Sequence, residues 1–302
     1  MKQRTTNNLQ AGESYISNNS ASTFRDCCFK FDATYRQKIK PIHKSVTLYF
    51  GEAIHATLDY AYTQAFDEDL CKDYFEAHFM GNLNEQPIMW AGDGKVKILK
   101  NGTESKARND FGNAESACEY GKKMIERYID RWRDDYMGMK VLASEVEFNF
   151  NLDLKENSEN ISYNGIIDKI VEIDGKQYVL DHKTAAQAMS QDLMQVENQI
   201  SGYIIGAREL GFNPVGAIFD VLYKKKEPEF EMIYVTRSEE QLKDFLDNTK
   251  ETVKAIRAGY KFQNIGRSCK MCHLHKYCFA GKQLGELYIQ ASDIKESEDE
   301  EE

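Results

Sequence analysis

The stretch that most constrains this chain is Gly165 to Lys183, GIIDKIVEIDGKQYVLDHK. Two apolar runs of strand character, Ile166–Ile173 and Gln177–Leu180, meet at Asp174-Gly175, a dipeptide favoured in tight turns, and the pattern predicts a β-hairpin. Each strand carries an acid where a core-facing strand would have none: Asp168 interrupts an isoleucine-rich run, and Asp181 follows Tyr178-Val179-Leu180. Lys183 shares the face of Asp181, because side chains alternate along an extended strand. Two carboxylates on paired strands repel each other and resist ionising unless a cation lies between them. A divalent metal meets that need, and a lysine beside it can orient a water or stabilise charge on a phosphate. The chemistry this favours is metal-assisted phosphodiester hydrolysis. Taken singly, either acid also fits a solvated strand end.

Helical and strand periodicities surround the hairpin. Ser22–Tyr35, STFRDCCFKFDATY, opens with helix-starting residues and follows a polar leader. In Val46–Phe66 the residues Phe50, Ile54, Leu58, Ala61 or Tyr62, and Ala65 recur at helical spacing. His55 falls beside that stripe with Glu52 and Asp59 one turn away on either side, as a half-buried histidine or a metal ligand. Asp67–Asp110 reads as an inserted, partly helical cap, and Asn113–Tyr136 as a helix with Cys118 a buried thiol. From Lys140 the period changes to two: Val146, Phe148 and Phe150 alternate with Glu145, Glu147 and Asn149, whose acids are a solvated face or supporting acids. Met189–Leu210 is expected to be one helix that buries Leu193, Val196, Ile200, Tyr203 or Ile204, Ala207 and Leu210, with Gln199 and Tyr203 four apart on one face. Gly216–Tyr223 and Glu229–Thr236 follow as strands and Ser238–Ala258 as a helix.

Composition limits the setting. A chain of 302 residues, 41% of them hydrophobic, can bury a full core. No apolar run approaches membrane-spanning length and Met1–Ser22 has no signal-peptide core, so a soluble, cytoplasmic protein without a membrane partner is expected. Seven cysteines, unevenly spaced, suit metal ligation better than a disulfide scaffold. Three of them, Cys269, Cys272 and Cys278 in CKMCHLHKYC, could hold zinc locally with His273 or His275. The net charge of −10 is uneven, since Ser292–Glu302 carries seven acids and one lysine, a net of −6. That tail reads as disordered. Basic clusters lie at Arg36, Lys38, Lys40 and Lys44, at Lys95, Lys97 and Lys100, and at Lys224–Lys226.

The order helix, three strands, helix, strand, the D…DxK pair in a hairpin and the QxxxY helix after it together resemble the PD-(D/E)xK nuclease superfamily. The likeness is to its RecB-like exonuclease branch, including CRISPR-associated iron–sulfur exonucleases and AddB-type nuclease domains, with a phage homologue in view. That branch has an upstream helical histidine in a setting like GxxxH, here Gly51 to His55. Some members bind an iron–sulfur cluster through four cysteines, here Cys27 with Cys269, Cys272 and Cys278; Cys28 stands where relatives commonly have proline. The resemblance covers roughly Ser22 to Ala280 apart from the cap. It implies an α/β fold: a restriction-endonuclease-like αβββαβ core with a mixed sheet, a helical cap and a C-terminal Fe–S region.

Residue by residue, it implies Mg²⁺ or Mn²⁺ bound by His55, Asp168, Asp181 and the backbone carbonyl of His182, with Lys183 placing the attacking water. Gln199 and Tyr203 would orient that lysine or the scissile strand. A [4Fe-4S] cluster would sit on the four cysteines, with Zn²⁺ as the alternative there. The organisation expected is a polar leader (1–21), an N-terminal helix with the first cluster cysteine (22–44), a helical region with the histidine and the cap (45–136), the nuclease core (137–262), the cysteine motif (263–285) and the acidic tail (286–302). The activity implied is a metal-dependent DNA exonuclease acting on single strands or strand ends, with protein partners in recombination, replication or CRISPR adaptation. The alternative is a non-catalytic DNA-end- or protein-binding subunit of a larger complex.

Overall fold

A computed structural model describes residues 15–41, 44–85, 88–89, 97–98, 104–105, 113–154, 161–279, 281–282 and 288–290. The hairpin is its centre. Strand β3 (Ser162–Ile173) turns into β4 (Lys176–Ala185), with Ile173 paired to Lys176. Asp174 and Gly175 sit between them at φ 50° and 71°. Positive φ at both central residues matches the right-handed strand twist, which is why an Asp-Gly pair stands there.

Four more strands complete a mixed six-stranded sheet: β1 (Tyr15–Ser17), β2 (Met139–Asn151), β5 (Pro214–Tyr223) and β6 (Glu229–Val235). β2 runs antiparallel along the whole of one edge of β3. The other edge is shared: β1 pairs in parallel with residues 162–164, and β4 pairs antiparallel with 169–173. Residues 165–168 therefore lie between two ladders, and Asp168 is at the mouth of that gap. β4 then pairs in parallel with β5, which puts Asp220 beside His182.

Helices cover both faces. On one lie α1 (Asn18–Asp26), α6 (Asn198–Glu209) and α7 (Glu239–Arg257), packed on Phe148, Ile170, Val179 and Phe219. On the other lie α2 (Val46–Thr63), α3 (Glu68–Glu85) and α4 (Ala114–Met137), packed on Val171, Leu180, Ile218 and Leu222. α6 approaches the sheet closely. A Cβ at Gly206 would stand 2.2 Å from the Phe148 ring and one at Gly202 2.7 Å from Tyr163, so only glycine fits either position.

Two expectations are corrected. The polar leader does not extend to residue 21: Tyr15–Ser17 is a strand with Ile16 fully buried, and Ser17 caps α1 in a reciprocal box with Ser20. That cap opens the helix at Asn18, ahead of Ser22. Met189–Leu210 is not one helix. It divides into α5 (Gln191–Gln195) and α6, because Glu197 is extended (φ −63°, ψ 119°) and its side chain caps the Gln199 amide. The break resets the helical phase, leaving Leu193 and Val196 69% and 70% exposed, and Leu210 exposed as well, while Ile200, Tyr203, Ile204 and Ala207 are buried. The first part of the expected cap is α3; the rest of Asp67–Asp110 lies outside the described residues apart from three two-residue strands, as does the acidic tail. No helix of the described residues is long and apolar enough to cross a membrane.

Candidate active site and cysteine cluster

The opening in the sheet brings most of the hairpin residues together. β4 alternates, sending Asp181 and Lys183 to the α6 face with Val179, and His182 to the α2 face with Leu180. At the end of the β3–β4 ladder a side chain takes over from the backbone: the His182 amide donates to Asp168 Oδ2 at 3.0 Å. Asp168 and Asp181 are both buried, the latter 1% exposed. Lys183 Nζ lies 2.6 Å from Asp181 Oδ2 and donates to Gln199 Oε1 at 2.9 Å. Gln199 Nε2 in turn donates to Tyr203 Oη at 2.6 Å. A chain of contacts thus runs from the carboxylate through the lysine to α6, and the four-residue spacing of Gln199 and Tyr203 makes its last link. His55 reaches across from α2, with Nδ1 3.4 Å from Asp168 Oδ2.

The two acids are set apart electrostatically. Burial opposes ionisation of Asp168, but His55 and the His182 amide outweigh it and hold the carboxyl well below its ordinary value. Burial pushes Asp181 up to about 6; Lys183 pulls the other way, and the Asp168 charge adds to the rise. For Lys183, burial favours the neutral amine, yet the ion pair with Asp181 wins and raises its pKa. Burial, followed by the nearby Asp181 and Asp168 charges, keeps the Tyr203 hydroxyl protonated. The site therefore combines one firmly charged carboxylate, one reluctant carboxylate and one firmly charged ammonium. Glu145 and Glu147 are both exposed on β2, as a solvated face requires.

A second constellation was not anticipated. Asp220, fully buried on β5, accepts from His182 Nδ1 at 2.8 Å and from Tyr128 Oη at 2.5 Å. Lys169, also fully buried, pairs with Asp59 at 3.2 Å, and the Ser144 hydroxyl donates to the same Asp59 oxygen. One signal was available. His55, Asp59 and Tyr62 recur at four and three residues, a polar ridge on one face of α2. Nothing in the sequence marks Asp220, which stands in the apolar run AIFDVLY.

At the chain's other focus, Cys27, Cys272 and Cys278 pack around Phe29, Ala33, Ile39, Leu274 and Tyr277. Backbone amides of Asn264 and Gly266 face Cys27 Sγ at 3.5 Å and Cys269 Sγ at 3.4 Å, and Gln263 Nε2 donates to Cys278 Sγ at 2.9 Å. Burial raises the Cys278 thiol; the Gln263 contact opposes this, and the charges of Cys27, Cys272 and Cys269 reinforce it. Cys28 points elsewhere: it is buried in the main core with its thiol toward the Phe24 carbonyl. His273 and His275 are exposed, and the His275 ring sits on the Cys269 carbonyl at 2.9 Å. Among the described residues no three His, Cys, Asp or Glu side chains close into a metal-ligating group.

A mixed sheet between helical layers, opened beside two acids and a lysine, is a restriction-endonuclease-like arrangement. The family model of the PD-(D/E)XK nuclease superfamily matches residues 15–279, and the chain belongs to that superfamily. Among solved structures it is similar to a Eubacterium rectale protein named only as a candidate exonuclease, with 13% identity, 87% of this chain and 88% of that chain covered, and a TM-score of 0.51. At that identity the likeness concerns the fold. A second match, named SSO0001, has 12% identity over 79% of this chain and 86% of that one, with a TM-score of 0.36. No curated protein matches the sequence. Nucleases of this superfamily are hydrolases that act on DNA, generally with Mg²⁺ or Mn²⁺.

Proposed function

We propose that this protein is a divalent-metal-dependent DNA exonuclease acting on single strands or strand ends, in recombination, repair or phage DNA metabolism. The observation that carries the reading is Lys183, held between Asp181 and Gln199 beside a second buried acid. A purely structural lysine would not need two buried carboxylates, one of them resisting ionisation. The donor types of His55, Asp168 and Asp181, an imidazole and carboxylate oxygens, suit a hard divalent cation, although the three do not already close into a ligating group. The buried Asp181 Oδ2 has Lys183 Nζ, at 2.6 Å, as its ion-pair partner, so the lysine stands beside the position a ligated cation would take.

His55, Asp168, Asp181 and the His182 carbonyl would hold the ion, which supplies Lewis acidity toward a phosphate oxygen and lowers the pKa of bound water. Lys183, protonated, donates toward the incoming water or the non-bridging phosphate oxygens, where negative charge grows in the transition state. Gln199 fixes the direction of that ammonium, and Tyr203 fixes the Gln199 amide in turn. The cysteines carry a separate proposal, a [4Fe-4S] cluster on Cys27, Cys269, Cys272 and Cys278. Its support is the set of N–H donors facing three of the sulfurs, an arrangement that stabilises thiolate-held clusters.

The test is cleavage of end-labelled single- and double-stranded DNA by purified protein in Mn²⁺, Mg²⁺ or EDTA, with Lys183→Ala alongside. Stepwise shortening that needs the metal and is lost in Lys183→Ala is expected. Equal cleavage by the variant would refute the assignment of Lys183, and no cleavage in any metal would refute the enzyme.

A further inference from the structure

The buried tyrosine, aspartate and histidine groups behind the carboxylates form a closed circuit. Asp220 Oδ2 is its hub. A carboxylate has no proton to give, so both the Tyr128 hydroxyl, at 2.5 Å, and His182 Nδ1–H, at 2.8 Å, donate to it. The Tyr128 proton is thereby committed, and its oxygen accepts from the Tyr62 hydroxyl at 2.8 Å. Tyr62 stands two turns beyond His55 on α2, and His55 closes the loop at Asp168. From Asp168 the circuit returns to its start through the His182 amide. Tyr62, Tyr128, Asp220 and His182 are at most 4% exposed, so water does not substitute for a lost link.

The circuit joins five separate elements, α2, α4, β3, β4 and β5, and passes through three of the groups proposed to hold the metal: His55, Asp168 and the His182 peptide. Aromatic contacts set the same spacing, with the His182 ring centroid 5.7 Å from that of Tyr62 and 6.0 Å from that of His55. A parallel strut runs beside it. Lys169, the neighbour of Asp168, pairs with Asp59 one turn from His55, and its ammonium lies over the Tyr62 ring at 5.3 Å. Buried polar networks cost desolvation and return it only when their geometry is kept, so the linked atoms are held to narrow positions, while Asp220 Oδ1 and His182 Nε2 are buried without a hydrogen-bond partner among the described residues.

We propose that Tyr62, Tyr128 and Asp220 are positioning residues for metal binding, fixing His55 and the His182 peptide against Asp168 from behind the sheet. The inference rests on the nuclease reading above. None of the three touches the reacting atoms. A clasp that serves stability alone would link the same helices and strands, so the test must separate stability from metal affinity.

The variants are Tyr128→Phe, which removes two hydrogen bonds and keeps the ring, and Asp220→Asn, which keeps the shape and removes the charge. Trp132→Phe, in the same helical core with no part in the circuit, is the stability control. Three quantities are measured: Mn²⁺ affinity by calorimetry without DNA, kcat and KM on labelled single-stranded DNA, and melting temperature in EDTA. Weakening of Mn²⁺ binding by at least fivefold is expected in both circuit variants. Their kcat should fall at least tenfold with KM within twofold, whereas Trp132→Phe should melt lower yet bind Mn²⁺ as wild type. If Asp220→Asn does not fold, Tyr128→Phe decides alone. Circuit variants that lose melting temperature but keep wild-type Mn²⁺ affinity and kcat would overturn the inference and leave the nuclease reading standing. A wild type that neither binds Mn²⁺ nor cleaves DNA would overturn both.

Discussion

Replacing Asp181 with asparagine should destroy activity and, without metal, stabilise the protein. In the fold, burial together with the Asp168 charge pushes this carboxyl from its ordinary 3.8 up to about 6, even with Lys183 pulling it down. At about 1.36 kcal/mol per pH unit, the ionised side chain costs the folded state about 3 kcal/mol at neutral pH. Asparagine removes that charge but leaves a buried amide, which costs about 1–2 kcal/mol if poorly paired. A net gain of about 1–2 kcal/mol remains, a rise of roughly 2–6 °C in melting temperature for a chain of this size. The pH dependence has a definite sign. Between 3.8 and about 6 the folded protein holds the Asp181 proton more tightly than the unfolded chain does, so wild-type stability falls as pH rises through that window and is level above it. The variant lacks this loss. Calorimetry in EDTA should therefore show Asp181→Asn melting below wild type at pH 4, where the buried amide outweighs the small ionisation cost, and above it by a constant margin from about pH 7 to pH 8, while Mn²⁺ raises the melting of wild type only. A variant that melts below wild type at pH 8, or differs from it equally at both pH values, would refute the reasoning.

Gly206→Val should cost roughly 3 kcal/mol or more, because its first carbon would meet the Phe148 ring at 2.2 Å and overpacking of a dense core forces backbone movement; circular dichroism melting measures it. Cys27→Ala should lower both iron content and melting temperature of anaerobically purified protein, whereas Cys28→Ala, in the main core, should leave iron content unchanged. A colourless protein carrying one zinc, with Cys27→Ala indistinguishable from wild type, would sink the cluster. Deleting Ser292–Glu302 removes a net charge of −6 and should tighten DNA binding at low salt, as read by fluorescence anisotropy; unchanged affinity would assign the tail another role.

The elements that build the opening in the sheet were legible because their signals are local. An Asp-Gly turn, alternation along β2 and a helix start at Ser238 each fix their element within a few residues, and the structure keeps all three, the last as a capping box with Gln241. Leu193 and Val196 were misread for the opposite reason. A helical stripe looks continuous across a two-residue break, and the Glu197 cap that makes the break is a backbone event with no hydrophobic signature. β1 was missed because three residues added to the edge of β3 carry too little pattern. Asp220 was illegible because its role exists only in register: strand β5 must lie parallel to β4 with Asp220 opposite His182 before its carboxylate has a purpose.

That last case bears on how the site holds together. Burying Asp168 and Asp181 side by side places two like charges where water cannot screen them, and the fold must resist their moving apart. Lys183 restrains Asp181 from the α6 side, and His55 with the His182 amide restrains Asp168 from the α2 side. Neither restraint is rigid by itself, since a lysine on a four-carbon stem and a half-buried imidazole both have freedom to turn. Gln199 and Tyr203 remove that freedom on one side, and Asp220, Tyr128 and Tyr62 remove it on the other. The two networks are anchored in different cores of the protein, one on each face of the sheet. A packing defect on either face should therefore reach the carboxylates through a different acid: changes behind α6 through Asp181 and Lys183, changes behind α2 through Asp168 and His55.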